Sequence, residues 1–242
     1  LTVRRQGIFP TFAPWDLIVQ WRGPEATILD LIDRPDFMHR LAARITAAQL
    51  AWLDQLETQG LLGRGQSWIH CTGGFHDALP AEGYDAHKPR ARDLWTFGMS
   101  QMFSTVSPAM HAEFELPYLS PWFERFGQAY YGCCEPLHTK MGILREIPNL
   151  RKVSVSPKCD KVRIAAELRG RYVASLKPNP AIVAMTSWAP ELAREELRRE
   201  LRELDGCAIE IILKDISTVC HEPHRLWEWA QLAQEVAAEF GE

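Results

Sequence analysis

Short apolar segments alternate with longer amphipathic ones along most of this chain, and that alternation limits the fold more than any single residue. Candidate strands are residues 7–12, 67–71, 95–99, 129–133, 152–156, 172–176 and 210–214. Helical stretches lie between them. Residues 36–60 carry Leu41, Ile45, Leu50, Leu53 and Leu56 on roughly one face. Residues 190–204 open with a proline suited to a first turn, and 223–240 close the chain. Residues 108–126 read as a helical region that Pro117 and Pro121 must break or kink. Residues 77–93 combine Pro, Gly and charge with little periodicity and read as a long loop over the mouth of the fold. Strand followed by helix, repeated, implies a parallel sheet with crossover helices. At 242 residues the expected α/β fold is one (βα)8 TIM barrel spanning residues 1–242. Seven strands are legible where a closed barrel needs eight. The first strand is therefore expected ahead of Leu1, in a longer natural chain.

Composition narrows the class. Apolar residues make up 46% of the chain, enough for a substantial core, and the net charge is −4 with the basic residues scattered. No basic patch suggests nucleic acid, and no apolar run reaches the roughly 20 residues of a membrane span. Six cysteines in a chain of this size do not resemble a small secreted disulfide scaffold. Free thiols or a metal site in a reducing cytoplasm are the better reading. A small-molecule substrate is the expected partner.

Reactive residues recur at the carboxyl ends of the strands, where a parallel barrel does its chemistry. Tyr130-Tyr131-Gly132 runs straight into Cys133-Cys134-Glu135, with His138 close behind. Adjacent residues of a strand point to opposite faces, so Cys134, past the strand's end, is the expected functional thiol. Glu135 is a carboxylate at the end of a core strand. It can ligate metal, act as a general acid or base, or pair with Lys177, Lys214 or Arg145. His70-Cys71-Thr72-Gly73-Gly74 and Cys220-His221 add two more His/Cys pairs, and the glycines of the first allow close backbone approach to a ligand. Lys177 and Lys214 can hold a carboxylated substrate, balance Glu135 and Asp215, or form a Schiff base if burial depresses their pKa. Asp160 can orient a ligand or cap the helix expected over residues 161–168, and capping is the preferred reading.

Several of these stretches resemble the uroporphyrinogen decarboxylase-like superfamily: Tyr131-Gly132-Cys133-Cys134-Glu135, Ile147-Pro148-Asn149-Leu150-Arg151-Lys152, Lys177-Pro178-Asn179-Pro180 and Lys214-Asp215-Ile216-Ser217-Thr218. The similarity runs from about Phe9-Pro10-Thr11-Phe12 to the end of the chain. The resemblance implies a single (βα)8 barrel and one of two chemistries. One is metal-free removal of carboxylates from a tetrapyrrole. It relies on an N-terminal arginine motif, and residues 9–15 do not replace that motif. The other is a zinc methyltransferase that moves a methyl group between a thiol and a corrinoid carried by a partner protein. Its zinc ligands follow His-x-Cys and a distant Cys. Cys134 and Cys220 fall at the two Cys positions, while Gly132 occupies that of the His. The resemblance thus implies a zinc site of Cys134, Cys220 and Glu135 or a neighbouring His. Glu135, Lys177, Lys214 and Asp215 are the expected catalytic set, and His70 and Asn179 the expected cofactor contacts. A barrel that binds a tetrapyrrole or corrinoid without catalysis is the remaining alternative.

Overall fold

The computed structural model describes residues 7–241. The strand expected ahead of Leu1 lies outside them. The elements in chain order are α1 (Pro14–Arg22), α2 (Pro24–Asp33), α3 (Pro35–Thr58), β1 (Trp68–Ile69), β2 (Thr72–Gly73), β3 (Trp95–Gly98), α4 (Pro108–Phe123), β4 (Gln128–Tyr131), α5 (Met141–Leu144), β5 (Leu150–Val155), α6 (Lys161–Leu168), β6 (Val173–Leu176), α7 (Pro190–Glu203), β7 (Ala208–Ile211) and α8 (His224–Phe240). Proline opens α1, α2, α3, α4 and α7. There its fixed φ suits the first turn, and its missing N–H would have had no helical partner. Asp160 caps α6 by accepting a hydrogen bond from the Arg163 N–H at 2.9 Å.

Strands β3 to β7 form one parallel sheet in sequential order. These are the last five of the seven segments read from the sequence, so the α/β class and the strand–helix alternation hold. Among the described residues the sheet is not closed into an eight-stranded barrel. Residues 7–12 make only isolated bridges, Ile8 to Leu62 and Phe12 to Gly98. Residues 67–71 do not run as a parallel strand either. The chain reverses at His70-Cys71, and β1 pairs antiparallel with β2, Ile69 opposite Thr72. His70 makes this reversal with φ +47°, a left-handed conformation that His adopts more readily than most side chains.

In the proline-bearing segment 108–126 the prolines do not break the helix, since α4 runs through Pro117 and Pro121. Packing explains it. Phe114, Leu116, Leu119, Trp122 and Phe123 are all buried, each contributing roughly 1.5–3 kcal/mol. Together they outweigh two proline penalties of about 3 kcal/mol each. The Trp122 indole also donates to Thr96 Oγ1 of β3 at 2.8 Å.

The two faces of the sheet differ in kind. One is apolar, carrying Ala129, Tyr131, Val153, Val155, Ala174 and Leu176, and packs into the main core with the helices. The other carries Trp95, Phe97 and Tyr130 at one side and Lys152, Ser154, Ser175, Lys177 and Glu210 across the middle. The β1–β2 hairpin lies over this second face. Ile69 packs against Trp95, Phe97 and Tyr130. Thr72 Oγ1 is 2.9 Å from Ser175 Oγ. Lys152 Nζ donates to the Gly73 carbonyl at 2.7 Å and pairs with Glu210 at 2.9 Å. Among the described residues, no helix is long and apolar enough to cross a membrane.

Candidate functional site

Four segments bring reactive side chains together at the carboxyl end of the sheet. They are the hairpin tip, the corner after β4, and the ends of β6 and β7. The corner exists because β4 stops at Tyr131 and Gly132 turns the chain with φ +92°. A Cβ on Gly132 would stand 2.5 Å from Leu137 Cδ1, so a side chain there would push Leu137 aside and strain the backbone. A histidine at that position would carry the same strain. The same turn ends strand alternation, and the Cys133 and Cys134 sulfurs lie only 3.6 Å apart. Cys133 is buried and Cys134 half-buried.

The hairpin supplies the third thiol and the imidazole. One nitrogen of His70 and the sulfurs of Cys71 and Cys133 all lie within 4.8 Å of one another. Cys71 Sγ is 3.4 Å from the Tyr130 hydroxyl, and the His70 ring stacks on Phe97 at 4.2 Å between centroids. The two close thiols shift each other in opposite directions. Hydrogen bonding from Cys133 holds Cys71 below the ordinary thiol range, with His70 and Lys177 assisting against burial. The same hydrogen bond, together with burial, pushes Cys133 up.

The lysines complete the cluster. Lys214 Nζ donates to Cys133 Sγ at 3.3 Å and Cys134 Sγ at 3.2 Å, and it pairs with Asp215. Cys134 Sγ is 3.4 Å from Asp215 Oδ2. Desolvation works against the Lys214 charge, but Asp215 and the two sulfurs outweigh it and raise its pKa. The same lysine lowers the pKa of Asp215. Lys177 is 1% exposed and lies 5.5 Å from the centroid of the Tyr130 ring. Desolvation depresses its amine from 10.5 to about 8. Its Nζ donates to Ser175 Oγ. Ser175 gives its one proton to Glu210 Oε1 at 2.5 Å, so Thr72 must donate to Ser175 as well.

Two expected zinc ligands lie elsewhere. Glu135 is buried, and its Oε2 accepts from the Cys133 N–H at 2.9 Å while Oε1 has no partner. Its carboxyl belongs to a second buried group. There Glu115 accepts from Ser100 at 2.6 Å and from the Tyr131 hydroxyl at 2.5 Å. His111 Nε2 also contacts Glu115 and lies 2.8 Å from the Tyr131 oxygen. Burial raises the Glu135 pKa, and Glu115 adds to the rise. Burial raises Asp16 from 3.8 to about 7, with Glu135 and Glu115 adding to it. No ion pair joins Glu135 to Lys177, Lys214 or Arg145; Lys152 and Arg145 instead pair with Glu210 and Glu167.

Cys220 points its sulfur at the Ala184 and Met185 carbonyls, 3.5 Å from each. Cys134, Glu135 and Cys220 therefore do not form a three-ligand group; among the described residues His70, Cys71 and Cys133 do. Asn179 caps the short 3-10 turn Pro180–Ala184, accepting from the Ala181 N–H at 3.1 Å. The imidazole of His138 accepts from the Asp160 N–H at 3.2 Å.

Sequence reasoning marked His70-Cys71 as a reactive pair without joining it to Cys133. It missed Tyr130 and Ser175 because an aromatic and a serine inside apolar strands carry no signal of their own. The readable hint was the pair of residues His70-Cys71 between two short strand-forming runs, a two-residue hairpin spacing without the usual glycine.

No protein-family model matches the chain, and no curated protein matches it.

Proposed function

We propose that the chain is a zinc-dependent alkyl-transfer enzyme whose metal is held by His70, Cys71 and Cys133. One observation carries this reading: three donors of the kind zinc prefers, from two segments 62 residues apart in sequence, converge within 4.8 Å. Three protein ligands leave a fourth tetrahedral position free, as catalytic rather than structural zinc sites do. When bound there, zinc would hold an acceptor thiol as its thiolate.

The chain's own groups supply the surroundings. Phe97 fixes the His70 ring by stacking, and the Tyr130 hydroxyl faces Cys71. Lys214, held by Asp215, places a fixed positive charge beside Cys133 and Cys134 at the rim. The hairpin is tied to the sheet beneath it through Ser175 and Glu210. Following the resemblance to uroporphyrinogen decarboxylase-like proteins, the reaction moves a methyl group between a thiol and a corrinoid on a partner protein.

Metal analysis of the purified protein reconstituted with zinc tests this. One zinc per chain is expected, with tight binding lost in both Cys71→Ser and Cys133→Ser and kept in Cys220→Ser. Stoichiometric zinc unaffected by the first two changes would remove the proposed ligand set. Failure to bind zinc at all would remove the metal reading.

A metal-free reading has its own supporting observation in Lys177. Its buried amine, depressed to about 8, suits proton transfer or imine formation near neutral pH. In a decarboxylase of a carboxylated tetrapyrrole, Lys177 and Lys214 would hold the substrate. Turnover by zinc-free protein that is lost in Lys177→Met would favour this alternative.

A further inference from the structure

The ligand pair Cys71 and Cys133 has a second chemistry available that needs no metal. We infer that these two thiols form a reversible disulfide with each other at the expense of a small-molecule disulfide, and that this bond and metal binding exclude one another. The bond itself is independent of the zinc reading; only the exclusion rests on it.

Geometry selects this pair. Their sulfurs are within 4.8 Å and must close to about 2.05 Å, an approach of less than about 3 Å. Cys71 stands at the tip of a hairpin whose arms are only two residues long, so the tip can move without unzipping the parallel sheet. Cys133 and Cys134 are closer, at 3.6 Å, but they are neighbours in sequence. Their Cα atoms are about 3.8 Å apart across a trans peptide, below the roughly 4.4–6.8 Å that a relaxed disulfide spans. The remaining three cysteines face carbonyl oxygens: Cys159 that of Asp160, Cys207 that of Ala165, and Cys220 those of Ala184 and Met185.

Exposure sets the order of events. Cys71 is half-buried at the tip, whereas Cys133 is 3% exposed. Cys71 as thiolate attacks one sulfur of the small disulfide. A protein–small-molecule disulfide forms, and the first small thiolate leaves with the electron pair and takes up the proton of Cys71. Cys133 then attacks the Cys71 sulfur. The Cys71–Cys133 bond forms, and the second small thiolate leaves and takes up the proton of Cys133. Two protein thiols are oxidised by two electrons, and one small disulfide is reduced to two thiols. Both sulfurs are then spent as metal ligands, since only the thiolate binds zinc.

Chelator-treated full-length chain incubated with oxidised glutathione tests the inference. Two of the six thiols should be lost, peptide mapping should join Cys71 to Cys133, and dithiothreitol should restore both thiols. Cys71→Ser should slow the loss about tenfold or more, while Cys134→Ser leaves the cross-link in place. Prior loading with zinc should suppress the cross-link. A map that joins other cysteines, loss of no thiols, or equal loss in Cys71→Ser overturns the inference. A Cys71–Cys133 cross-link that forms equally fast with zinc bound overturns the exclusion. Zinc content is read separately on the reduced protein. A cross-link without zinc binding therefore supports the disulfide and sinks only the metal reading.

Discussion

Glu135 leaves the sheet beside the thiols, yet its carboxyl turns to the side of buried Glu115 and half-buried Asp16. Its one hydrogen bond of consequence for the site holds the Cys133 N–H. Under the proposed zinc reading it is a positioning group rather than a ligand. Glu135→Gln keeps an acceptor for that N–H and needs no proton. The variant is expected to stay within about 1 kcal/mol of the parent and to match the parent's zinc binding. Glu135→Ala leaves the N–H without a partner and should cost about 1–3 kcal/mol, read by urea denaturation. The same group of acids sets a pH dependence. Asp16 is raised from 3.8 to about 7 in the fold, so the unfolded chain loses that proton first as pH rises. The folded state then binds more protons than the unfolded one, and stability falls with rising pH across that window. Burial moves Glu135 in the same direction. Melting temperature should therefore decline between about pH 4 and pH 7, and Asp16→Asn should flatten the decline. A parallel profile in that variant would assign the dependence elsewhere.

At the scale of the elements, two short pieces of backbone decide more than the long helices. Gly132, with φ +92° and Leu137 packed where a Cβ would stand, makes the corner that brings both sulfurs to one side. Gly132→Ala should destabilise the fold by about 1–3 kcal/mol and weaken zinc binding, because the corner must shift. Full stability with native zinc affinity would show that the corner tolerates a side chain. Helix α4 offers the opposite kind of test. Pro117 is exposed within it and withholds one helical hydrogen bond. Pro117→Ala should stabilise the protein by roughly 1–3 kcal/mol, visible as a higher urea midpoint at unchanged slope.

At the scale of the whole molecule, the described residues form an open five-stranded parallel sheet with helices on its apolar face and a hairpin tied across its polar one. That arrangement joins parts of the chain that would be far apart if unfolded, so the candidate site can form only once the sheet and hairpin are docked. A metal binding there stabilises the folded state alone. Zinc at 100 times its Kd should add about 2.7 kcal/mol, read as a rise in melting temperature that Cys133→Ser abolishes. An equal rise in that variant would place the ion outside the thiol cluster.

Local pattern carried the α/β class, the five parallel strands and their order, because each strand's apolar run and each helix's spacing are written within a dozen or so residues. Proline placement and the Asp160 cap were legible for the same reason. That the sheet stays open was not. Residues 67–71 look like a strand, but whether they continue into a sheet or reverse at His70-Cys71 depends on Thr72 and Gly73 finding Ser175, Lys152 and Glu210 across the fold. The site was legible in its parts and not in its assembly. Cys133, Cys134, His70, Cys71, Lys177, Lys214 and Asp215 all stood out as reactive residues at the ends of segments. Which of them meet was set by a glycine corner and a hairpin tip, and only packing across more than 60 residues of chain could turn Glu135 and Cys220 away and bring Cys71 to Cys133.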